Sequence, residues 1–289
     1  MNVKPQVETP AAAPGAARLA SWLRARHRVA AITGAGVSTA SGIPDYRDGD
    51  GNWKRSPPVQ YGDFVHHVAT RQRYWARSFA GWPLFAAAQP NAAHAALAEL
   101  ERAGRVACVV TQNVDRLHQR AGSRNVVDLH GRLDVVRCLG CGARTSRDVF
   151  QRRLRDANPD WDARAAVAAP DGDADLEGVD FRAFNVPACG LCGGVLKPDV
   201  VFYGEAVPRE TTAAAFAATE AADGVLVVGS SLMVWSSFRL VRAAVQRGVE
   251  VVAINQGRTR ADDLLTFKCA GECGVQLQAA ARRVSGSAR

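Results

Sequence analysis

The sequence predicts an α/β fold, a doubly wound parallel sheet with two modules inserted into it. Short continuous apolar runs, such as Val29-Ala30-Ala31-Ile32-Thr33, alternate with segments of helical periodicity. That is the pattern of strands buried on both faces and joined by crossover helices. Each apolar run also ends in glycine or small polar residues, and the carboxyl ends of parallel strands are where such sheets bind ligands. A third observation separates a module from this pattern. Two Cys-x-x-Cys pairs, Cys138/Cys141 and Cys189/Cys192, interrupt the alternation between the third and fourth runs.

Taken in order, residues 1–15 are polar, then proline- and alanine-rich, and read as disordered. Leu19, Trp22 and Leu23 predict an amphipathic helix over 16–26. The first strand, 29–33, ends at Gly34. The run 47–55, rich in glycine and charge, reads as a mobile loop. Tyr74, Trp75, Phe79 and Trp82 predict a helix stopped by Pro83. Pro90-Asn91 opens a helix over 91–103, closed by Gly104. Strands follow at 106–111 and 126–129, with a short helix through Leu117 between them. The middle of the cysteine region, 157–180, is rich in Asp, Ala, Pro and Gly and predicts an irregular excursion. Strands at 225–228 and 249–254 are joined by a helix near 236–247. The expected organisation is a Rossmann-like domain from 16–133 and 199–289, a helical insertion over 48–90 and a metal module over 134–198.

With 289 residues, 47% of them hydrophobic, the chain can bury a large core. No apolar run reaches the ~20 residues of a membrane helix. Met1–Pro14 has no apolar signal core, and Glu8 argues against a transit peptide, so a cytoplasmic location is expected. Seven cysteines, four of them in knuckles, argue against a disulfide framework. The net charge of +8 admits acidic partners. No long Lys/Arg cluster appears, so the surface reads as solvated and nucleic acid is not an expected partner.

The first strand end reads Gly34-Ala35-Gly36-Val37-Ser38. Glycines after a strand let backbone approach a pyrophosphate, and the following turn offers free N–H groups. Thr39 replaces the third glycine of the dinucleotide fingerprint, so this turn alone is a weak sign of NAD or FAD. Four further strand ends strengthen it: Gln112-Asn113-Val114-Asp115, Leu129-His130-Gly131, Gly229-Ser230-Ser231 and Asn255-Gln256-Gly257. Ser230 and its neighbours offer phosphate contacts, and Asn255 a ribose contact. His130 shares the crevice with Asn113 and Asp115, where a neutral imidazole can take a proton from a hydroxyl. Cys138, Cys141, Cys189 and Cys192 suit one tetrahedral structural Zn²⁺ with no open position. Cys108 sits mid-strand and reads as core. Cys269 and Cys273 are too few for a second metal, and Cys273 is placed at the start of the last helix, near the nucleotide.

Gly34 through Ser38, Ser41-Gly42-Ile43-Pro44-Asp45-Tyr46-Arg47, Gln112 through Asp115, His130-Gly131, the two knuckles and Gly229-Ser230-Ser231, in this order, resemble a sirtuin. The likeness runs from about residue 16 to 283. Arg71 through Arg77 and Lys197-Pro198-Asp199-Val200-Val201-Phe202 are similar to its class II branch, which includes a mitochondrial animal sirtuin. The resemblance implies NAD-dependent removal of an acyl group from protein lysine, with transfer to ADP-ribose and release of nicotinamide. It implies that Ala35, Gly36 and Ser230 hold phosphates. Asp45 would meet the nicotinamide carboxamide and Arg47 its ribose. Gln112, Asn113 and Asp115 would line that pocket, with His130 as base. Asn255 would reach the far ribose, and the backbone at Cys273 the adenine. The acyl-lysine peptide would add as a strand between Val201-Phe202-Tyr203-Gly204-Glu205 and Ser231-Leu232-Met233-Val234. Tyr46, Asn52 and Trp235-Ser236 depart from the family pattern, and Asn52 predicts a looser cofactor loop. Tyr74 and Arg77 have a spacing that, in another branch, receives acidic acyl groups. A monomer is the expected state. An ADP-ribosyltransferase and a zinc-ribbon nucleic-acid binder are the alternatives.

Overall fold

The computed structural model describes residues 15–54, 58–161, 167–168, 174–175 and 180–286. The disorder expected of 1–15 therefore lies almost wholly outside the described residues, as does most of the excursion over 157–180. In chain order the elements are α1 (Ala16–Arg24), β1 (Val29–Thr33), α2 (Tyr61–His66), α3 (Val68–Ala87), α4 (Ala92–Arg102), β2 (Val106–Thr111), α5 (Leu117–Arg120) and β3 (Val126–Asp128). Then come β4 (Gly131–Cys138), β5 (Arg144–Ser146), α6 (Arg147–Ala157), a two-residue pair β6 (Val167–Ala168) and β7 (Ala174–Asp175), and β8 (Leu196–Val200). The chain closes with α7 (Arg209–Glu220), β9 (Gly224–Val228), α8 (Trp235–Gln246), β10 (Val251–Ile254), β11 (Phe267–Cys269) and α9 (Cys273–Ser285).

Six strands form one parallel sheet in the order β11-β10-β9-β1-β2-β3. This is the doubly wound arrangement that the alternating pattern predicts. β1 and β9 are wholly buried, which is why their sequences are continuous apolar runs rather than alternating ones. One face of the sheet is covered by α1, α4 and α9, whose Leu19, Leu23, Leu97, Leu100 and Leu277 are fully buried. The other is covered by α8 through Phe238, Leu240 and Val241, with Ala215 of α7. The winding direction reverses between β1 and β9, and the crevice at such a switch point is the natural ligand site.

The second layer is a three-stranded antiparallel sheet, β5-β4-β8, that carries the cysteines. It shares one core with α2 and α3: Phe64, Tyr74, Trp75 and Phe79 pack with Val136, Cys138, Phe150, Phe184, Cys189 and Phe202. The two stretches that read as separate insertions thus bury their apolar faces against each other.

Pro83 does not stop α3, which runs on to Ala87. Proline removes the N–H that would bond the Phe79 carbonyl. The Gln151 side chain donates to that carbonyl instead, at 2.8 Å, so the helix continues. The helix over 91–103 begins as expected, with Asn91 accepting from Ala93 N and His94 reaching back to Asn91 N. The sequence pattern predicts no element for α7 or β11, nor for α2, α6 and the strands β4, β5 and β8. The helical period of α7 is carried by small residues, of which Ala215 and Thr219 are buried. β11 is three residues long.

Candidate active site

One cavity of about 1120 Å³ opens between the parallel sheet and the second layer. Its cofactor-side wall is made of strand ends. Gly34, Ala35, Gly36 and Ser38 line it after β1, Gln112, Asn113, Val114 and Asp115 after β2, His130 after β3, Gly229, Ser230 and Ser231 after β9, and Asn255, Gln256 and Gly257 after β10. Cys273, the first residue of α9, closes the far end. Burial pushes its thiol up to about 12, so it sits there as an apolar group.

The glycines of this wall answer first to each other. Gly36 N donates to the Gly229 carbonyl at 2.9 Å. A Cβ on Gly36 would lie 2.9 Å from that oxygen, and a Cβ on Gly229 only 2.4 Å from Val37 N. Gly229 is also left-handed, at φ +57. The two central turns interlock, and side chains would force them apart. Ser230 is engaged within the protein: its Oγ accepts from Gln112 Nε2 at 2.7 Å and from Leu232 N at 3.2 Å. Asn255 likewise donates to the Gly257 carbonyl at 2.8 Å.

Behind this wall a buried polar network joins the motif residues Ser38, Asn113 and Asp115 to His94 and His118, which no motif announces. Ser38 Oγ donates to Asp115 at 2.6 Å and accepts from Asn113 Nδ2 at 3.0 Å. Asp115 also accepts from Leu117 N at 2.9 Å. His94 stands 3.5 Å from the same Ser38 oxygen, and its ring meets that of His118 at 4.8 Å. His118 pairs with Thr33 Oγ1 at 2.9 Å. Burial lowers His94 to about 4 and His118 well below its ordinary value, and it raises Asp115. Both histidines are therefore neutral supports of the Asn113–Asp115 segment.

His130 meets Ser236 Oγ through Nε2 at 2.8 Å. Burial lowers the imidazole to about 4, and the Gln112 carbonyl that accepts from it offsets part of the fall. The ring is neutral above that pH and can accept a proton. Gly131 must follow it, because at φ +81 a Cβ would lie 2.2 Å from the Asp199 carbonyl oxygen. In the sequence Ser236 stands out only as a departure from the family pattern. Its neighbour Ser237 donates to Gln112 Oε1 at 3.0 Å, so the first turn of α8 ties down two residues of the site.

The cofactor loop is closed rather than loose. Arg47 and Trp53 form an antiparallel bridge. The Arg47 guanidinium lies 3.8 Å from the Trp53 ring centroid and donates to the Gly51 carbonyl at 2.7 Å. Asn52, predicted to loosen the loop, is instead tied into it: Asp48 Oδ1 accepts from Asn52 N at 2.9 Å and from Asp50 N at 3.0 Å, and the Asn52 side-chain Nδ2 donates to Asp48 Oδ2 at 3.4 Å. The loop seats on the cofactor wall where Arg258 N donates to the Gly49 carbonyl at 2.8 Å. Asp45 lines the cavity but is ion-paired with Lys54. Tyr46 lies edge-on to Trp53 at 6.2 Å.

The opposite wall is made by Val201, Phe202, Tyr203 and Gly204, facing Ser231 and Val234. Lys197, itself fully buried, supports it through Glu205 at 3.0 Å, and Glu205 also accepts from Phe202 N at 2.9 Å. Leu232 is left-handed at φ +56, a conformation that costs a non-glycine residue about 1–2 kcal/mol. Ile43, Tyr74, Phe85, Leu133 and Val200 line an apolar arm. Arg77, on the same helix as Tyr74, does not line the cavity, so the two are not brought together there.

The four knuckle cysteines gather as predicted, all four sulfurs lying within 4.8 Å of one another. Cys138 and Cys192 are 3.5 Å apart, Cys141 and Cys189 3.8 Å, close to the ~3.8 Å edge of a tetrahedron with ~2.3 Å Zn–S bonds. The N–H groups of Cys141 and Gly140 point at Cys138 Sγ and lower its thiol to about 6. Backbone N–H groups of Leu191 and Cys192 lower Cys189 likewise. At Cys192 the Gly194 N–H acts in the same sense, but the Cys141 and Cys138 sulfurs outweigh it and push the thiol up to about 12. Four converging sulfurs with backbone N–H groups aimed at three of them fit a zinc ion. Such a site has no open coordination position, and its role is structural.

The Sir2 family model matches residues 34–236. The chain belongs to the Sir2 family. It is 60% identical to the NAD-dependent protein deacetylase 2 of Bradyrhizobium diazoefficiens over 254 residues, 88% of this chain and 93% of that one. It is 58% identical to an NAD-dependent protein deacetylase of Bordetella bronchiseptica, covering 90% of this chain and 94% of that one. Against the mitochondrial NAD-dependent protein lipoamidase sirtuin-4 of Bos taurus it is 47% identical, over 86% of this chain and 80% of that one. Among solved structures, this Sir2 family chain resembles a complex described as Sir2-p53 peptide-NAD+, with a TM-score of 0.73 and 30% identity over 93% of this chain and 97% of that one. It also resembles a Sir2 homologue mutant with 2′-O-acetyl ADP ribose, with a TM-score of 0.74 and 33% identity over 93% and 96% of the two chains.

Proposed function

We propose that this chain is an NAD-dependent protein-lysine deacylase that transfers the acyl group from lysine to ADP-ribose and releases nicotinamide. The observation that carries the reading is His130, a neutral imidazole where the strand-end wall meets the peptide-side wall. Its neighbours support the same reading. Gln112, Asn113 and Asp115 are fixed by Ser237, Ser38 and Leu117 N, so the pocket they form is preorganised rather than assembled on binding. The backbone N–H groups of the Gly34–Ser38 turn would face the phosphates.

NAD, when bound, supplies a ribose carbon that accepts the acyl oxygen as nicotinamide leaves. The protein's part is to orient, to dry and to move one proton. Val201, Phe202 and the apolar arm exclude water from the acyl chain. Peptide backbone would add as a strand between 201–204 and 231–234. His130 Nε2, now engaged by Ser236, would accept the proton of a ribose hydroxyl.

We read the chain as a class II sirtuin, supported by the Lys197–Phe202 run and by its likeness to sirtuin-4. Acyl-lysine proteins are the partners. Among the described residues no helix is long and apolar enough to cross a membrane. The apolar arm favours uncharged acyl groups. Among the described residues no arginine of α3 lines it, so the Tyr74/Arg77 pairing has no geometric support as an acid receptor.

The test is NAD-dependent nicotinamide release with acetyl, lipoyl, succinyl and glutaryl peptides. Acetyl or lipoyl turnover with O-acyl-ADP-ribose as product is the expected result. ADP-ribose left covalently on protein would favour the transferase reading instead. Selectivity unchanged in Arg77→Ala would remove Arg77 from acyl choice.

A further inference from the structure

We infer that the substrate-side lip of the cavity selects acyl-lysine sites flanked by acidic residues. This rests on the deacylase reading, and it concerns residues that reading does not use. Trp235 follows directly on the 231–234 segment, starts α8, lines the cavity and is 49% exposed. A half-exposed indole at a cavity mouth is a contact surface rather than a core residue. Two guanidinium groups accompany it. Arg242 lies 5.5 Å and Arg260 5.4 Å from its ring centroid. Arg260 also lies 4.6 Å over Phe238 and donates to the Met233 carbonyl at 3.3 Å, which joins it to the peptide-side segment.

Two more arginines, Arg239 of α8 and Arg209 of α7, line the cavity itself. Arg239 bonds Thr212 Oγ1 at 3.2 Å, while its buried Nε has no hydrogen-bond partner. Among the described residues none of these four arginines is ion-paired with a carboxylate. The acids on the cavity wall are otherwise committed. Glu205 faces Lys197, Asp45 faces Lys54, Asp48 holds the cofactor loop, and Glu272 caps α9. Glu210 and Asp263 pair with none of the four, and Asp262, two residues from Arg260, is taken by Thr259 and Lys268. The lip is left with uncompensated positive charge next to an exposed aromatic face.

The chemistry that fits is a carboxylate a residue or two from the acyl-lysine. A guanidinium lying over an indole keeps its N–H fork available for such a partner. Lysine acylation neutralises the lysine, so the charge of the site is set by its neighbours. Continuity with the cavity, through Trp235 and Arg239, favours a peptide in the groove over a nucleic acid on an open face. Exposed pairs are each worth at most a few-fold in affinity. Two or three of them give roughly a tenfold preference, expressed in KM and sensitive to salt.

The experiment uses the full chain with zinc bound and three acetyl-lysine peptides that differ only in flanking residues: Glu/Asp, Gln/Asn or Lys. Steady-state kinetics at saturating NAD are measured alongside peptide binding by fluorescence anisotropy. The acidic peptide should show a KM about tenfold below the neutral one with similar kcat, and the advantage should vanish in high salt. In Arg242→Glu the ratio of acidic to neutral peptide should fall to one or below, and Arg242→Lys should restore most of it. Ratios within one variant cancel any general loss of folding. Equal KM for all three peptides, or preference for the Lys-flanked one, overturns the inference while leaving deacylation standing. Tighter binding of the acidic peptide with no turnover of any peptide supports the lip and overturns the deacylase reading. Displacement of the acidic peptide by a short DNA duplex at lower concentration than by itself overturns it in favour of nucleic acid.

Discussion

The two walls of the cavity are built on different principles. The cofactor wall is backbone: five strand ends, interlocked turns at Gly36 and Gly229, and a relay of Ser38, Asp115, His94 and His118 that fixes the amides from behind. The substrate wall is side chain: an apolar arm, a Lys197–Glu205 brace and an arginine lip. A backbone wall tolerates almost no change, because each residue is constrained by atoms that cannot yield. A side-chain wall can be recut without disturbing the fold. The lesson is that a common co-substrate and variable acyl-proteins can be served by one cavity when its two walls are made of different material.

His130 sits at the seam, so its loss should be the largest effect and should spare both walls. His130→Ala should lower deacylation by about 10²–10⁴-fold with one zinc per chain retained by metal analysis. Next comes the cofactor wall. Gly229→Ala would place a Cβ 2.4 Å from Val37 N at a left-handed position, and should cost about 2 kcal/mol or more. NAD affinity by calorimetry should fall more than tenfold, whereas Phe85→Leu on the apolar arm should leave it unchanged. Equal losses from both would erase the contrast between the walls.

The relay makes a third prediction, about pH. His94 and His130 are lowered to about 4, and burial holds His118 well below its ordinary value, against 6.5 unfolded. Between those values the unfolded chain binds more protons than the folded one, so stability rises with pH there. It is complete above about 6.5 and drains as pH falls toward 4. Asp115, raised by burial, works in the opposite sense and offsets part of the loss. The melting temperature should therefore drop between pH 7 and 4.5, and His118→Asn should flatten that slope. The smallest effect sharpens the seam itself. Ser236→Ala should reduce kcat roughly five- to tenfold, the ~1 kcal/mol of one hydrogen bond, with KM for NAD unchanged. Ser236→Thr should recover most of it. An unaltered kcat would remove Ser236 from ring positioning.

What the sequence disclosed follows the same division. Backbone walls leave residue-type signatures, since only glycine fits Gly36, Gly131 and Gly229 and only an apolar run fits β1 and β9. The metal quartet was equally plain, because thiol spacing is its own signal. The rest depended on contacts between distant segments. Nothing near Pro83 in the chain foretells that Gln151 would take over the Phe79 carbonyl. His94 and His118 look like ordinary helical residues until α4 and α5 bring their rings together. The helical period of α7 is faint because its buried face is only Ala215 and Thr219. Arg77 followed a spacing borrowed from another branch, and in the fold it does not line the cavity.

The core shared by α3 and the cysteine sheet has a thermodynamic meaning. Tyr74 and Phe202, which line the cavity, belong to the same packed cluster as Cys138 and Cys189. Structural zinc contributes its binding free energy to whatever folds around it. Here that includes Tyr74 and Phe202 of the cavity wall, on which the proposed acyl chain would rest, so loss of the metal should loosen that wall. In native-state hydrogen exchange the amides of α3, β4 and β8 would open as one cooperative unit, with the ion as its keystone.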